Sequence, residues 1–538
     1  MTLTSAGGST AGERTSRVLR DGTPQQAGLV TAPIEAMKTD LESYLNPSPT
    51  RPLYAGGVVL AGHDGYVVQR AAAGYALRYA DGDGTELPRD QWVPARTDTI
   101  FDLASVSKLF TAIALVQQVQ AGAIDLDRTV ASYIPAFAAN GKQAVTVRQL
   151  LTHTSGFPAW LPLWSSQPTP EARIQAVYDA KLSNPPGSTY LYSDLNMITA
   201  GKLVELATGR PLDQVVHDRI TGPLGMRDTG YNPPASELDR IAATEYQTAP
   251  PRGMVRGSVH DENAWALNGV AGHAGVFSTA DDLAVLAQTI INGGSYGGTR
   301  ILSEDSVEAL MHNENAAFPG NSHGLGFELD QMWYMDGLSG PETAGHTGYT
   351  GTSIVIDRAS QSFVILLTNR VHPSRNWGSN NPARRAVARD LARALPVRPR
   401  EGNTAWFSGV GDARTVTLAT PVQLSSAPSR LTFDLWYDTE PTDVVTLEAS
   451  SDGGSTWQAL KHWSGWSGKK WGSESVDLGA LDGAVTLRWR YASDALYQGR
   501  GVYVDGIRVT SPGHIVFDDS RPRDADAVQL AGWSASAN

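Results

Sequence analysis

Ser105-Val106-Ser107-Lys108 opens an apolar run, Leu109, Phe110, Ile113, Val116 and Val119, that ends near Gly122. This spacing predicts a helix from Ser105 to about Gly122 with a buried side. Residues three apart on a helix share a face, so Ser105 and Lys108 meet. An amine at hydrogen-bond distance can take the serine proton and activate a weak nucleophile. At the helix N-terminus Ser105 would also feel the positive end of the helix dipole. Lys108, buried beside it, would have its pKa lowered by desolvation and would serve as base or proton shuttle. Ser and Lys fall at this spacing by chance in most long chains, so the weight rests on two segments further along the chain.

These are Tyr192-Ser193-Asp194 and, after it, His346-Thr347-Gly348. A phenol near an ammonium ionises more readily and can relay protons between Ser105 and a leaving group, which makes Tyr192 the second candidate base. Gly348 lets backbone approach a substrate closely. The N–H of Tyr349 could then join the N–H of Ser105 as an oxyanion hole.

Around these segments the chain divides. Residues 1–25, rich in Ser, Thr and Gly, read as a flexible tail. Ile34, Met37, Leu41 and Tyr44 recur at helical spacing. Residues 56–61 and 65–70 flank an Asp-Gly turn, as a β-hairpin does. Residues 351–357 and 362–368 form a second hairpin, followed by a helix over about 383–395. Hairpin and helix at each end, with a mostly helical middle, predict an α/β domain over 26–397. Its antiparallel sheet is flanked by helices, closed by both ends of the domain, and interrupted by a helical insertion. Residues 398–405 read as a linker. Eight of the 14 Trp lie beyond position 400, and alternating apolar runs recur at 431–437, 485–491 and 502–509. These predict an all-β sandwich over 406–512, extending if its last strands pair to 538.

At this point the chain resembles the serine β-lactamase and penicillin-binding-protein superfamily, nearest its class C β-lactamase-like branch. The set Ser-x-x-Lys, Ser-Asp-Asn and Lys-Thr-Gly marks that superfamily, and the second and third segments here are variants of it. Leu150-Leu151-Thr152-His153-Thr154-Ser155-Gly156, Pro223-Leu224-Gly225-Met226, residues 272–279 and Gly345-His346-Thr347-Gly348 carry the resemblance further. It implies a site between an α/β and a helical part, and a covalent acyl-enzyme on Ser105 with Lys108 and Tyr192 moving protons. It allows esterases, amidases, acyltransferases and D-alanyl-D-alanine carboxypeptidases. Two departures bear on the choice. Asp194 stands where these β-lactamases usually carry Asn, and a carboxylate cannot donate an amide N–H; it can pair with Lys108 and hold it charged. His346 stands where many members carry Lys, and histidine is mostly neutral near pH 7. Asp194, His346, Thr347 and Gly348 are therefore expected to bind substrate. The expected function is ester or amide hydrolysis or acyl transfer; a penicillin-binding D,D-carboxypeptidase or weak β-lactamase is the alternative, and an inactive binding protein the alternative of another class.

The composition excludes some partners. A formal net charge of −12 without a basic stripe argues against nucleic acid. The absence of cysteine removes disulfides and thiolate sites. No apolar run is long enough to span a bilayer. No metal is expected at the catalytic site, since His260-Asp261-Glu262-Asn263 and His273 match no compact motif. No cofactor is expected, apart from a structural calcium in the C-terminal sandwich, which resembles the jelly-roll modules of secreted bacterial hydrolases. Trp463, Trp466 and Trp471 fall in an expected loop and could stack on sugars or peptides, or serve as core; the sandwich is a candidate carbohydrate- or protein-contacting module. Either compartment is open, with export after removal of a leader the expectation.

Overall fold

The structure is a computed structural model that describes residues 17–425, 428–497 and 499–538. Its first helix, α1 (Thr31–Ser43), buries Ile34, Met37 and Leu41. Strands β1 (Gly56–His63) and β2 (Tyr66–Leu77) pair antiparallel. Asp64 and Gly65 between them are both left-handed, with φ of 50° and 82°. Two successive left-handed residues are what a two-residue hairpin turn needs.

Helix α2 (Ser107–Gln120) comes next, then α3 (Asp194–Thr208) and α4 (Ala280–Ile291). The second hairpin is three-stranded: β3 (Thr343–Thr347), β4 (Ser353–Asp357) and β5 (Ser362–Thr368). Helix α5 (Asn381–Ala394) comes after it. Strand β5 lies against β1, with Leu60 opposite Ile365. The two hairpins from opposite ends of the domain are therefore neighbours, as the two-ended hairpin pattern predicts. The sheet order is Arg20–Asp21, β2, β1, β5, β4, β3, Glu328–Leu329, with Val93–Pro94 pairing β2 off that path. Strand β1 is buried on both faces, which is why its sequence is apolar without alternation.

Of the expected tail, residues 1–16 lie outside the described residues. Residues 17–25 are not a tail: Arg20–Asp21 add to the sheet in parallel with β2. Backbone pairing, which composition does not encode, fixes them there.

Chain contacts divide the protein into two units. One holds the N-terminal stretch through Ala27, Thr31–Met335 and Ser339–Leu391. The other holds Gly28–Val30, Asp336–Leu338 and Ala392–Asn538. In the second unit, β6 (Thr415–Leu424), β7 (Arg430–Asp438), β8 (Val444–Ser450), β9 (Gln458–Trp463), β10 (Gly472–Asp477), β11 (Gly483–Ala492) and β12 (Gly501–Ser511) form two sheets. One runs β10-β7-β12, then Ala405–Phe407 and Ser534–Ser536; the other runs β9-β8-β11-β6, then Gln529–Ala531. The pairing thus carries on to the C-terminal residues. Along β11, Val485, Leu487, Trp489 and Tyr491 alternate inward, and Trp489 meets Phe433 edge-on at 5.1 Å. Trp463 belongs to this core and not to a loop: it ends β9 and is 8% exposed. It is therefore no platform for a sugar. Asp452 closes the 450–456 turn by accepting from the N–H and hydroxyl of Thr456.

Candidate active site

Helix α2 begins at Ser107, two residues later than the apolar spacing predicts. Ser105 lies in a 3-10 turn, Ala104–Val106. Ala104 is left-handed at φ 46°, and its N–H is taken by the buried Asp102 carboxylate at 2.8 Å. That side chain draws the backbone out of the regular helical path. A left-handed alanine is a local strain of the kind that clusters at functional sites, and it turns Ser105 toward the cleft. Behind it Leu109, Phe110 and Ile113 are fully buried and hold the turn still.

The Lys108 ammonium, fully buried, donates to Ser105 Oγ at 2.8 Å and to the His273 carbonyl at 3.1 Å. It also meets Asp194 Oδ1 at 2.8 Å. Its Nζ lies 4.8 Å from the ring centre of Tyr192, whose phenol engages both Lys108 and Ser105. Burial alone would lower the Lys108 pKa, but Asp194 and Tyr192 outweigh it and raise it above the ordinary value. This overturns the expectation that desolvation lowers the Lys108 pKa; the pairing with Asp194, the other expectation, is present. The reason is tertiary: Asp194, far away in sequence, starts α3, and α3 packs against α2. Ser193 caps α3 through its side chain, and its own N–H is held by His153 Nδ1 at 3.1 Å. His153 thus serves structure, fixing where Tyr192 and Asp194 stand. Tyr192 is pushed up to about 12 by burial, with the Lys108 charge pulling the other way.

The third segment is hung on the residues before Ser105. Thr350 Oγ1 donates to the Asp102 carbonyl and Thr352 Oγ1 to the Leu103 carbonyl. A Cβ on Gly348 would stand 2.2 Å from the Leu103 carbonyl oxygen and 2.1 Å from Thr352 Oγ1. Only glycine permits that approach, which brings the backbone of Tyr349 beside that of Ser105. Among the described residues neither of these two N–H groups has a protein acceptor. His346 is buried and pairs its Nδ1 with the Thr347 carbonyl; burial holds its pKa well below the ordinary value, and Lys108 adds to this. It is a neutral imidazole, not a substitute for a lysine cation.

Two cavities meet at Ser105. One, about 570 Å³, is walled by Tyr190, Tyr192, Glu328, His346, Thr347, Arg370 and Arg384. The other, about 430 Å³, is walled by Trp160, Trp164, Asp194, His260, Asp261 and His273. Tyr349 and Arg375 border both. The predicted residues Ser105, Lys108, Tyr192, Asp194, His346, Thr347, Gly348 and Tyr349 are thus brought together. Sequence spacing missed Asp102, Glu328, Arg370 and Arg384. Arg384 is buried, donates to the Gly348 and Thr352 carbonyls at 2.6 and 3.0 Å, and is lowered to about 10 by burial. The Arg-rich helix that carries it was legible; its inward face was not. Glu328 is raised by burial to about 7.

Comparison with known proteins agrees with this fold. The beta-lactamase family model matches residues 50–389. The model "Immune inhibitor A-like, MAM domain" matches residues 375–537. A protein of Escherichia coli K12 described as "Putative D-alanyl-D-alanine carboxypeptidase" is 33% identical over 389 residues, spanning 66% of this chain and 86% of its own. A relative of the same description from Salmonella schwarzengrund is 32% identical, spanning 66% and 87%. Among solved structures, a penicillin-binding protein homolog from Caulobacter crescentus superposes with a TM-score of 0.54 at 23% identity, over 68% of this chain and 98% of its own. EstCE1, "a hydrolase with promiscuous acyltransferase activity", gives 0.54 at 22%, over 69% and 99%. A class C beta-lactamase gives 0.53 at 19%, over 69% and 98%. At these identities the solved structures speak for the fold.

Proposed function

This chain belongs to the beta-lactamase family, is a serine hydrolase or acyltransferase of that fold, and, we propose, works through an acyl-enzyme on Ser105 formed from an ester or amide. The observation that carries this is the contact of Ser105 Oγ with a charged Lys108 beside Tyr192. Ser105 Oγ attacks the carbonyl carbon as its proton passes to the Tyr192 oxygen. The Tyr192 proton passes to the leaving oxygen or nitrogen, so the phenol is restored. Lys108, held as a cation by Asp194, stabilises the negative charge that moves between the two oxygens. The N–H groups of Ser105 and Tyr349 take the oxyanion. Water or an amine or alcohol then enters by the reverse relay. The site's own groups supply each of these steps, and none is routed through a cofactor.

A second reading, D-alanyl-D-alanine carboxypeptidase, draws support from the description of the 33%-identical relative and from Arg370 and Arg384 on the wall beside Thr347, where a terminal carboxylate would be neutralised. Ester or amide substrates remain the first reading, because His346 brings no charge to that wall. Turnover of 4-nitrophenyl esters and of a peptide ending in D-alanyl-D-alanine, by the wild type and Ser105→Ala, tests both. No Ser105-dependent turnover of either, with no acyl adduct by intact-mass spectrometry, would overturn the mechanism.

For the C-terminal unit we propose a calcium ion held by Glu440, Asp443 and Asp494. Each offers an oxygen within 4.8 Å of the others. Glu440 is 6% exposed, and its Oε1 has no hydrogen-bond partner. Burial and then the neighbouring carboxylates raise both Glu440 and Asp443. Oxygen-only ligands of this charge suit a hard cation. Thermal unfolding of the full chain with calcium against a chelator, in wild type and Glu440→Gln, tests it: a calcium-dependent rise confined to the wild type is expected, and equal curves sink the idea. A contact with carbohydrate or another protein through this unit is likewise our proposal, supported by its match to the MAM domain model and tested by glycan-array binding of the full chain.

A further inference from the structure

The cavity on the Asp194 side of Ser105 differs in chemistry from the one on the His346 side. The His346 side carries Arg370 and Arg384. The Asp194 side carries three carboxylates, Asp194, Asp261 and Glu262, with two indoles, Trp160 and Trp164. Its bordering guanidinium, Arg375, is already committed to Glu245 at 2.6 Å and to Glu262. Asp261 is ionised: burial opposes its charge, but His273 at 2.8 Å and the Ala264 N–H outweigh this and hold it below the ordinary carboxylate range. Asp194 meets Lys108 through Oδ1. His273 is 1% exposed, and its Nδ1, also on this wall, has no hydrogen-bond partner. Trp160 is 45% exposed, although a large apolar side chain gains by burial.

The geometry points to a subsite for an organic ammonium group, carried by the substrate next to its scissile carbonyl. Carboxylates attract the charge, and an indole face holds an alkylated cation through its ring electrons. Aromatic walls favour such a cation over a bare metal ion, which gains little from an indole face. With arginines on the opposite side, the cleft as a whole is polarised, so it sorts substrates by where they carry charge. This deepens the acyl-enzyme reading and rests on it for placing the scissile carbonyl.

Two pairs of isosteric esters test it. In one pair the acyl part is 4-(trimethylammonio)butyrate or its carbon analogue 5,5-dimethylhexanoate. In the other the alcohol is choline or 3,3-dimethylbutanol, with a common acyl group. In at least one pair the cationic ester should have the higher kcat/KM, by about tenfold at low salt, and the preference should shrink as salt rises. Trp160→Ala and Asp261→Asn should each reduce that ratio. Equal or inverted ratios in both pairs overturn the subsite. Calorimetric titration with choline and with 3,3-dimethylbutanol reads the subsite without catalysis. If neither ester pair is turned over but choline alone binds, and binds less well in Trp160→Ala, the subsite stands and the acyl-enzyme reading falls. If zinc binds there and choline does not, the ammonium assignment falls.

Discussion

Asp194 Oδ1 stands 2.8 Å from Lys108 Nζ, and this contact decides which protons the site can move. With the carboxylate in place the lysine is a cation at neutral pH, and the serine proton must leave through Tyr192. An asparagine there would leave Tyr192 to oppose the desolvation of the lysine.

Asp194→Asn should therefore lower the Lys108 pKa, since the charge that raises it is gone while burial, which lowers it, stays. The high-pH limb of kcat/KM should move to lower pH, and acylation by penicillin should rise as a neutral amine becomes available. The pH–rate profile and the mass of the penicillin-treated protein check this. An unmoved profile with unchanged acylation would show that Asp194 does not set the state of Lys108.

Tyr192→Phe removes the relay but keeps the ring packed against Lys108. We expect kcat to fall by about 10²- to 10⁴-fold with an unchanged far-ultraviolet circular dichroism spectrum. Activity within threefold or so of wild type would transfer the proton relay to another group.

Gly348→Ala forces a Cβ against the Leu103 carbonyl and Thr352 Oγ1. Strand β3 must draw back from the Ser105 turn, at a cost of about 1–3 kcal/mol. Denaturant midpoints should drop, and kcat should fall further than stability explains, because the Tyr349 N–H moves away. A variant that is as stable and active as wild type would place the oxyanion donors elsewhere.

Glu328 gives a pH signature. Its carboxyl is raised from 4.5 to about 7 by burial, so between these values the folded protein holds a proton that the unfolded chain has released. The stability this protonated form contributes is complete below the unfolded value and is lost as pH rises through the folded one. The loss is about 3 kcal/mol at most. Glu328→Gln, which cannot ionise, should gain on the wild type steadily from about pH 5 to pH 8 in denaturant midpoints. A pH-independent difference would mean that Glu328 is ionised throughout.

Much was legible in the residues alone. The hairpin of β1 and β2 announced itself through Asp64-Gly65, because two left-handed positions in a row exclude most other residues. The apolar face of α2 announced the buried rod behind Ser105. Ser105, Lys108, Tyr192 and the His346-Thr347-Gly348 segment stood out because short-range spacing and order along the chain encode them. The alternation in β11 announced a half-buried strand, since successive side chains must point to opposite faces.

What the residues left open was how far burial shifts the electrostatic state of those groups. Asp194 and His346 already suggested a paired lysine and a neutral imidazole; that Asp194 and Tyr192 outweigh the desolvation of Lys108, and that burial raises Glu328 to about 7, come from packing and from partners distant in sequence. The two-residue offset between Ser105 and the start of α2 likewise goes with the left-handed Ala104, whose N–H is taken by the Asp102 carboxylate. Sequence by itself determined which functional groups this protein owns and which local elements carry them, because propensity and periodicity are local. Only the tertiary structure decided their ionisation and the opposite charges of the two cavities at Ser105, because desolvation and Coulomb forces act through space and sum over neighbours that the chain brings together only when folded.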